Sequence, residues 1–242
     1  MTVAHYIVFH PERKRLQLQV KAVALTRGAV NSAWHGDVWV DKPNGNEDPF
    51  LFFDPWVYTY CHATQLRREP RHSSYVQPGS YIIFCSGDAA DDHVLRIDTV
   101  FLVGAGAKWQ WGKKIGLATE FKQHEHQSSE LWMRHLQFGM DKQHKGRYTY
   151  LSRMWQPGST DFSFSPLNAT SERTEIRIDE MPQTVSSTVS HGVKGKMPVL
   201  LEEAQLQSIL GLIQLRSTTK VLRIIEPAGE MPLSSSANAH HC

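Results

Sequence analysis

The chain has 242 residues, of which 40 % are hydrophobic and 21 % charged, and its formal net charge is +2. This composition is neither disordered nor membrane-like, and the length is enough to bury a sizeable core. With 26 Lys plus Arg against 24 Asp plus Glu, a nucleic-acid partner would need a local basic patch, because the whole surface is not cationic.

The first half reads as β-structure. Tyr6 to Phe9 is a short apolar run closed by His10-Pro11. Leu16, Leu18 and Val20 alternate with Gln17, Gln19 and Lys21, the period of a half-buried strand. Asp37 to Val40 follows, and Asp41 to Asn46 is a dense turn signal. Phe50 to Phe53 and Trp56 to Tyr60 are aromatic, β-prone stretches. Pro78-Gly79 then opens a run from Ser80 to Cys85, and Val94 to Val103 returns after an acidic loop. These two runs predict an antiparallel hairpin with at least one buried face, ended by Gly104-Ala105-Gly106. The middle, Ile115 to Phe138, is more helical, with Ser128 as a candidate N-cap.

Short strands are expected at Tyr148–Leu151, Phe162–Pro166 and Ile176–Ile178. Met181 to Lys196 reads as a loop. A last helix is expected from Pro198 to about Gln214, with Glu202 and Glu203 in the first turn where the helix dipole favours acids. Val221 to Ile225 is the last strand expected. The organisation implied is a domain over 1–180 with a helical insertion, a loop or linker over 181–197, a helix and strand over 198–228 packing on that domain, and a mobile tail over 229–242.

No run of about 18 apolar residues occurs, so no membrane partner is expected. Met1 to Arg13 lacks the basic-then-apolar order of a signal peptide. Cys61, Cys85 and Cys242 form no CxxC pair, which points to a reducing cytoplasm rather than to a disulfide framework. Phosphate-loop, dinucleotide, HExxH and GxSxG signatures are absent. His124, His126 and His135 are spaced so that they could hold a metal, but they stand in a polar stretch, and neither a metal nor a cofactor is expected.

The aromatic residues are more informative. Seven tryptophans are many for this length. Large rings usually pack in a core, but a ring among polar and turn residues can stack on a base. Trp34, His35, Trp56, Tyr58, Tyr60 and His62 are the candidate ligand residues. On a strand, Trp56, Tyr58 and Tyr60 share one face, opposite Val57, Thr59 and Cys61. The smaller, more apolar set is the natural core face, which would leave the rings at a mouth or groove. Arg67, Arg68 and Arg71 form a basic cluster suited to forking onto phosphates. Lys108, Lys113, Lys114 and Lys122 interleave with Trp109 and Trp111 in a second basic stretch.

The stretch from Thr59 to Val103 resembles the PUA, ASCH and EVE group of β-barrels, and within it the nucleotide-modification-associated domains found with phage and mobile elements. The resemblance rests on Thr59-Tyr60-Cys61-His62, on Arg67 and Arg68, and on Gly79-Ser80-Tyr81-Ile82-Ile83. His62-Ala63 stands where Lys-Pro is typical, and Ser80 replaces Asp. The resemblance implies a PUA-like mixed barrel with helices on one side, an α+β fold, and a mouth that accepts a modified base taken out of its stack. The leading expectation is therefore a module that binds nucleic acid or a modified nucleotide through an aromatic-lined pocket. One rival is a metal-assisted enzyme acting on nucleotides or nucleic acid, using His62, His124, His126 or His135 with Asp91 or Asp92. Another is a structural protein whose tryptophans form an interface.

Overall fold

The computed structural model describes residues 3–11, 15–41, 49–52, 54–59, 66, 76–88, 91–108, 148–183, 185–186 and 198–227. Eleven strands and one α-helix are formed among them: β1 (His5–Pro11), β2 (Arg15–Thr26), β3 (Ala29–Asp41), β4 (Val57–Thr59), β5 (Tyr81–Asp88), β6 (Asp91–Lys108), β7 (Tyr148–Ser152), β8 (Ser165–Leu167), β9 (Thr174–Arg177), β10 (Val199–Leu201), α1 (Glu203–Arg216) and β11 (Thr219–Pro227). The fold class is α+β, mostly sheet.

The strands make two sheets. The larger has the order β10-β1-β5-β6-β7-β4, with β9 also paired to β6, and the smaller has the order β3-β2-β11-β8. Each order is open-ended among the described residues, so the expected barrel does not close. Pairing is mostly antiparallel, but β1 runs parallel to β5 from Tyr6 opposite Ile82 to Pro11 opposite Gly87. The mixed character expected of the sheet is therefore present without closure.

The hairpin predicted after Pro78-Gly79 forms as β5 and β6. Gly79 sits at φ +92°, a conformation that disfavours any residue with a Cβ. The hairpin is buried on both faces: Ile83 and Cys85 join one core cluster, Ile82 and Phe84 the other. The Gly104-Ala105-Gly106 segment does not end the strand, because β6 runs on to Lys108. The register shifts between Val103 and Ala105, and a Cβ at Gly104 would lie 3.2 Å from the Arg153 backbone nitrogen. The glycine thus serves a close backbone approach inside the strand.

The period-2 pattern of β2 is also realised. Val20, Ala22 and Ala24 are buried while Gln17 and Gln19 are exposed. Val20 and Ala22 meet Val38 and Val40 of β3 and Val221 of β11, and the same cluster takes in Val8, Ile82, Phe84 and Phe101 from the larger sheet. The second cluster joins Ile7, Phe9, Ile83, Leu95 and Ile97 to Leu206, Ile209 and Ile213 of α1. Those three positions are spaced as one helical stripe, and each such side chain stabilises by roughly 1.5–3 kcal/mol when fully buried.

The last helix starts later than its sequence pattern suggests. Val199 to Leu201 pair with β1, so the residues from Pro198 to Leu201 are not helical. Glu202 is the N-cap, and its backbone N–H donates to Gln205 Oε1 at 2.8 Å. This capping fixes the start of α1. His5 Nδ1 accepts the Tyr81 N–H at 3.1 Å, which leaves the ring hydrogen on Nε2 to donate to Glu203 at 2.9 Å. One buried imidazole thereby ties β1, β5 and the first turn of α1 together.

The expected strand near Phe162–Pro166 is β8, which starts three residues later and ends one residue later, with Phe164 forming an isolated bridge to Val100. β9 ends one residue before Ile178, which begins a 3-10 turn closed by Asp179 and Glu180. The helix expected within 115–138 lies outside the described residues, as does most of the 181–197 loop. The segment expected to pack on the main domain contributes strands to both sheets: β10 extends the larger at its edge, and β11 lies inside the smaller.

Candidate functional site

The residues singled out in the sequence separate into three groups. Trp56 and Tyr58 are fully buried, each 0 % exposed, in the cluster between the sheets. Tyr58 packs edge-on against Phe84, with ring centroids 4.8 Å apart, and lies 6.1 Å from Tyr150. The rings therefore face the core and do not line a mouth. The expectation failed because Val57 is buried as well. A strand covered on both faces offers no contrast from which to choose its core side. Trp56 Nε1 is buried with no hydrogen-bond partner among the described residues, a cost of about 1–3 kcal/mol that the packing of the ring must offset.

Tyr60, His62, Arg67, Arg68 and Arg71 lie outside the described residues, together with His124, His126 and His135. The side chains of Asp91 and Asp92 lie outside them too. Among the described residues no three His, Cys, Asp or Glu side chains converge as metal ligands would.

Trp34 and His35 form the third group, on β3 at the edge of the smaller sheet. Trp34 lies opposite Ala22 and His35 opposite Lys21. Trp34 is partly buried at the margin of the inter-sheet core, and His35 is exposed. The Trp34 ring folds back along its own strand over Gly36. A Cβ on Gly36 would stand 2.4 Å from the ring tip, so only glycine leaves the ring its place. On the same strand Trp39 is partly buried, and the Arg173 guanidinium lies over its ring, 5.1 Å from the centroid.

Arg173 leads to an arrangement the sequence reading missed. Arg15 at the start of β2 places Nη2 2.8 Å from Asp98 Oδ2, and Arg173 places Nη1 3.2 Å from Asp98 Oδ1. The side chains are buried, 2 % exposed for Arg15, 1 % for Asp98 and 9 % for Arg173. Arg173 Nη1 also donates to Ser86 Oγ at 2.6 Å, and Ser86 Oγ donates to Asp98 Oδ1 at 3.2 Å. Backbone geometry accounts for the convergence. Phe84 pairs with Thr99 and Cys85 with Ile97, so Asp98 is the extra residue of a β-bulge, and bulges re-aim side chains. Thr174 pairs with Ile97, which brings the preceding Arg173 level with the bulge.

The surroundings of this cluster are chemically quiet. Cys85, on the other face of β5, donates its thiol to the Val8 carbonyl at 3.5 Å. Burial, and then the Asp98 carboxylate, push that thiol well above its ordinary pKa, so it stays protonated and unreactive. The cluster places one guanidinium against the Trp39 ring. Elsewhere, Lys220 lies 4.8 Å from the Phe164 centroid, and burial lowers its pKa.

Compared with family models, curated proteins and solved structures, the chain has no match.

Proposed function

We infer that this protein is a binding module for nucleic acid or a nucleotide, and that edge strand β3 carries its aromatic surface. The observation behind the reading is Trp34, an indole kept at the margin of the core on an edge strand, over a glycine that makes room for it. An indole held in this way is suited to stacking on a base. His35 and Lys21 pair on the opposite face of the same two strands, where they are donors for phosphate oxygens of a strand passing around the sheet edge. The resemblance of Thr59–Val103 to the nucleotide-modification-associated domains supports the same ligand class, and the arginines at 67, 68 and 71 are the proposed phosphate contacts.

The test is a titration of intrinsic tryptophan fluorescence with single-stranded DNA, single-stranded RNA and mononucleotides. Stacking one base on a ring is worth roughly 1–3 kcal/mol, so Trp34→Ala should weaken binding by about 5- to 150-fold while the protein stays folded. Replacing Arg67, Arg68 and Arg71 with Ala should flatten the salt dependence, by up to about 0.9 log unit per lost contact. An unquenched wild type, or unchanged affinity in Trp34→Ala, overturns the reading.

A further inference from the structure

We propose that β3 is a self-pairing edge, and that two copies of this chain join their smaller sheets through Trp34–Val38 in an antiparallel, two-fold symmetric register. This goes beyond the nucleotide reading and does not rest on it. Among the described residues β3 ends the smaller sheet, with β2 on its one paired side. An edge strand presents backbone N–H and C=O groups that a further strand can take up. This one is 13 residues long and holds neither Lys nor Pro, residues that commonly blunt such an edge. His35 is exposed, as is the run Ala29 to Ala33, and Gly36 and Asp37 are only half-buried, so the edge is open to solvent.

The residues along the edge select the occupant. With Gly36 facing Gly36 of the second copy across the two-fold axis, His35 of each copy lies opposite Asp37 of the other, and Trp34 opposite Val38. A two-fold interface repeats every contact, so an imidazole–carboxylate pair and an aromatic–β-branched pair are each made twice, and both kinds stabilise neighbouring strands. Moving the axis one residue either way sets His35 against His35 or Asp37 against Asp37, so the sequence favours this register. Residues directly opposite share a face. The imidazole–carboxylate pairs therefore lie on one face and the Trp34–Val38 pairs on the other, with each Trp34 ring still over its own Gly36. An aromatic ring over an edge glycine is a known means of pinning register. Asp37 Oδ2 accepts Gln17 Nε2 at 2.8 Å, and a carboxylate has further acceptor positions for the second copy's imidazole. The pairing stops at Ala33, because β3 bulges between Trp34 and Asn31 and the Asn31 side chain takes the Ala33 N–H at 2.9 Å.

Sedimentation velocity over a concentration series tests the proposal, on wild type, His35→Asp, Asp37→Lys, a mixture of these two, and the double variant, with a thermal melt on each. Wild type should pass from monomer to dimer as concentration rises. His35→Asp sets carboxylate against carboxylate, and Asp37→Lys sets imidazole against ammonium, so each should weaken self-association by about tenfold or more. Mixed in equal amounts, the two should pair with each other, because the carboxylates of one then face the imidazole and ammonium of the other. The double variant reverses both pairs and should dimerise as wild type does, and it carries the test if a single variant does not fold. A wild type that stays monomeric throughout the series overturns the proposal. A dimer that neither single change weakens, or weakened variants that mixing does not restore, overturns it as well, since the copies would then meet elsewhere. No nucleotide enters these measurements, so their failure leaves the reading of Trp34 as a base-stacking residue where it stands.

Discussion

Replacing Asp98 with Asn tests whether the buried cluster is held by charge. The change keeps the volume of the side chain and removes one negative charge from between two guanidiniums. Arg173 Nη1 could still donate to an amide oxygen and would keep Ser86 Oγ, 2.6 Å away. The amide nitrogen would then face Arg15 Nη2 across a 2.8 Å contact, donor against donor. Breaking a buried ion pair by removing one partner costs about 3–5 kcal/mol, mainly because a charge is left uncompensated in the interior. In a chain of this size each kcal/mol lowers the melting temperature by roughly 2–4 °C, so Asp98→Asn should melt about 6–20 °C lower. Urea denaturation followed by circular dichroism is the complementary measurement, and the midpoint should fall with the slope unchanged. The triple change Arg15→Met, Asp98→Leu, Arg173→Met separates charge from packing. Removing all three ions together should cost less than Asp98→Asn alone, since well-packed apolar replacements of buried ion clusters are often neutral or stabilising. A loss below about 1 kcal/mol for Asp98→Asn, the range of an exposed pair, would refute the cluster as a buried electrostatic unit.

Trp56→Ala should cost about 3–5 kcal/mol by urea denaturation, as for a large core ring, and a neutral result would return Trp56 to the surface. Gly36→Ala places a methyl 2.4 Å from the tip of the Trp34 ring, so the ring must swing out; red-shifted tryptophan emission and weaker nucleotide binding are expected at nearly unchanged stability. Tyr81 is pushed up to about 12 from 10.0, first by burial and then by Asp161. A folded-state pKa above the unfolded value means that its contribution is intact below pH 10.0 and is lost as pH rises towards 12. Tyr81→Phe should therefore flatten the fall in melting temperature over that interval, and in an ultraviolet titration one late-ionising tyrosine should disappear.

Elements whose signal is local could be read from the sequence. The alternation from Leu16 to Lys21 and the Pro78-Gly79 turn each specify a strand from their own residues. Where two structures compete for the same apolar run, local pattern misleads: Val199 to Leu201 continue the apolar spacing of α1, yet β1 takes them as a strand. The face of Trp56 was illegible for a different reason, because both sides of that strand are covered. The Asp98 cluster unites residues 75 positions apart for Arg173 and Asp98 and 87 for Arg173 and Ser86, and no spacing rule reaches that far. One trace was available. Asp98-Thr99 sets two polar residues side by side between the alternation of Leu95 to Ile97 and the continuous apolar run of Val100 to Val103, a break in pattern of the kind a bulge makes.

The position of β11 inside the smaller sheet sets an order of events during synthesis. β2 and β3 are neighbours in sequence and can pair early as a hairpin, with one long edge waiting. The strand that covers that edge comes late: Thr26 and Thr219, whose hydroxyls meet at 3.2 Å, are 193 residues apart. β8 has β11 as its partner in that sheet, so it too waits. Until the ribosome releases β11, the nascent chain presents an unfilled slot of backbone donors and acceptors, the surface on which a chaperone or a second nascent chain would act. Folding should accordingly be slow, since closing so long a loop precedes any reward from the contacts it makes. A chain cut shortly before Thr219 would lose the interior strand of the sheet and leave β2–β3 and β8 as separate pieces.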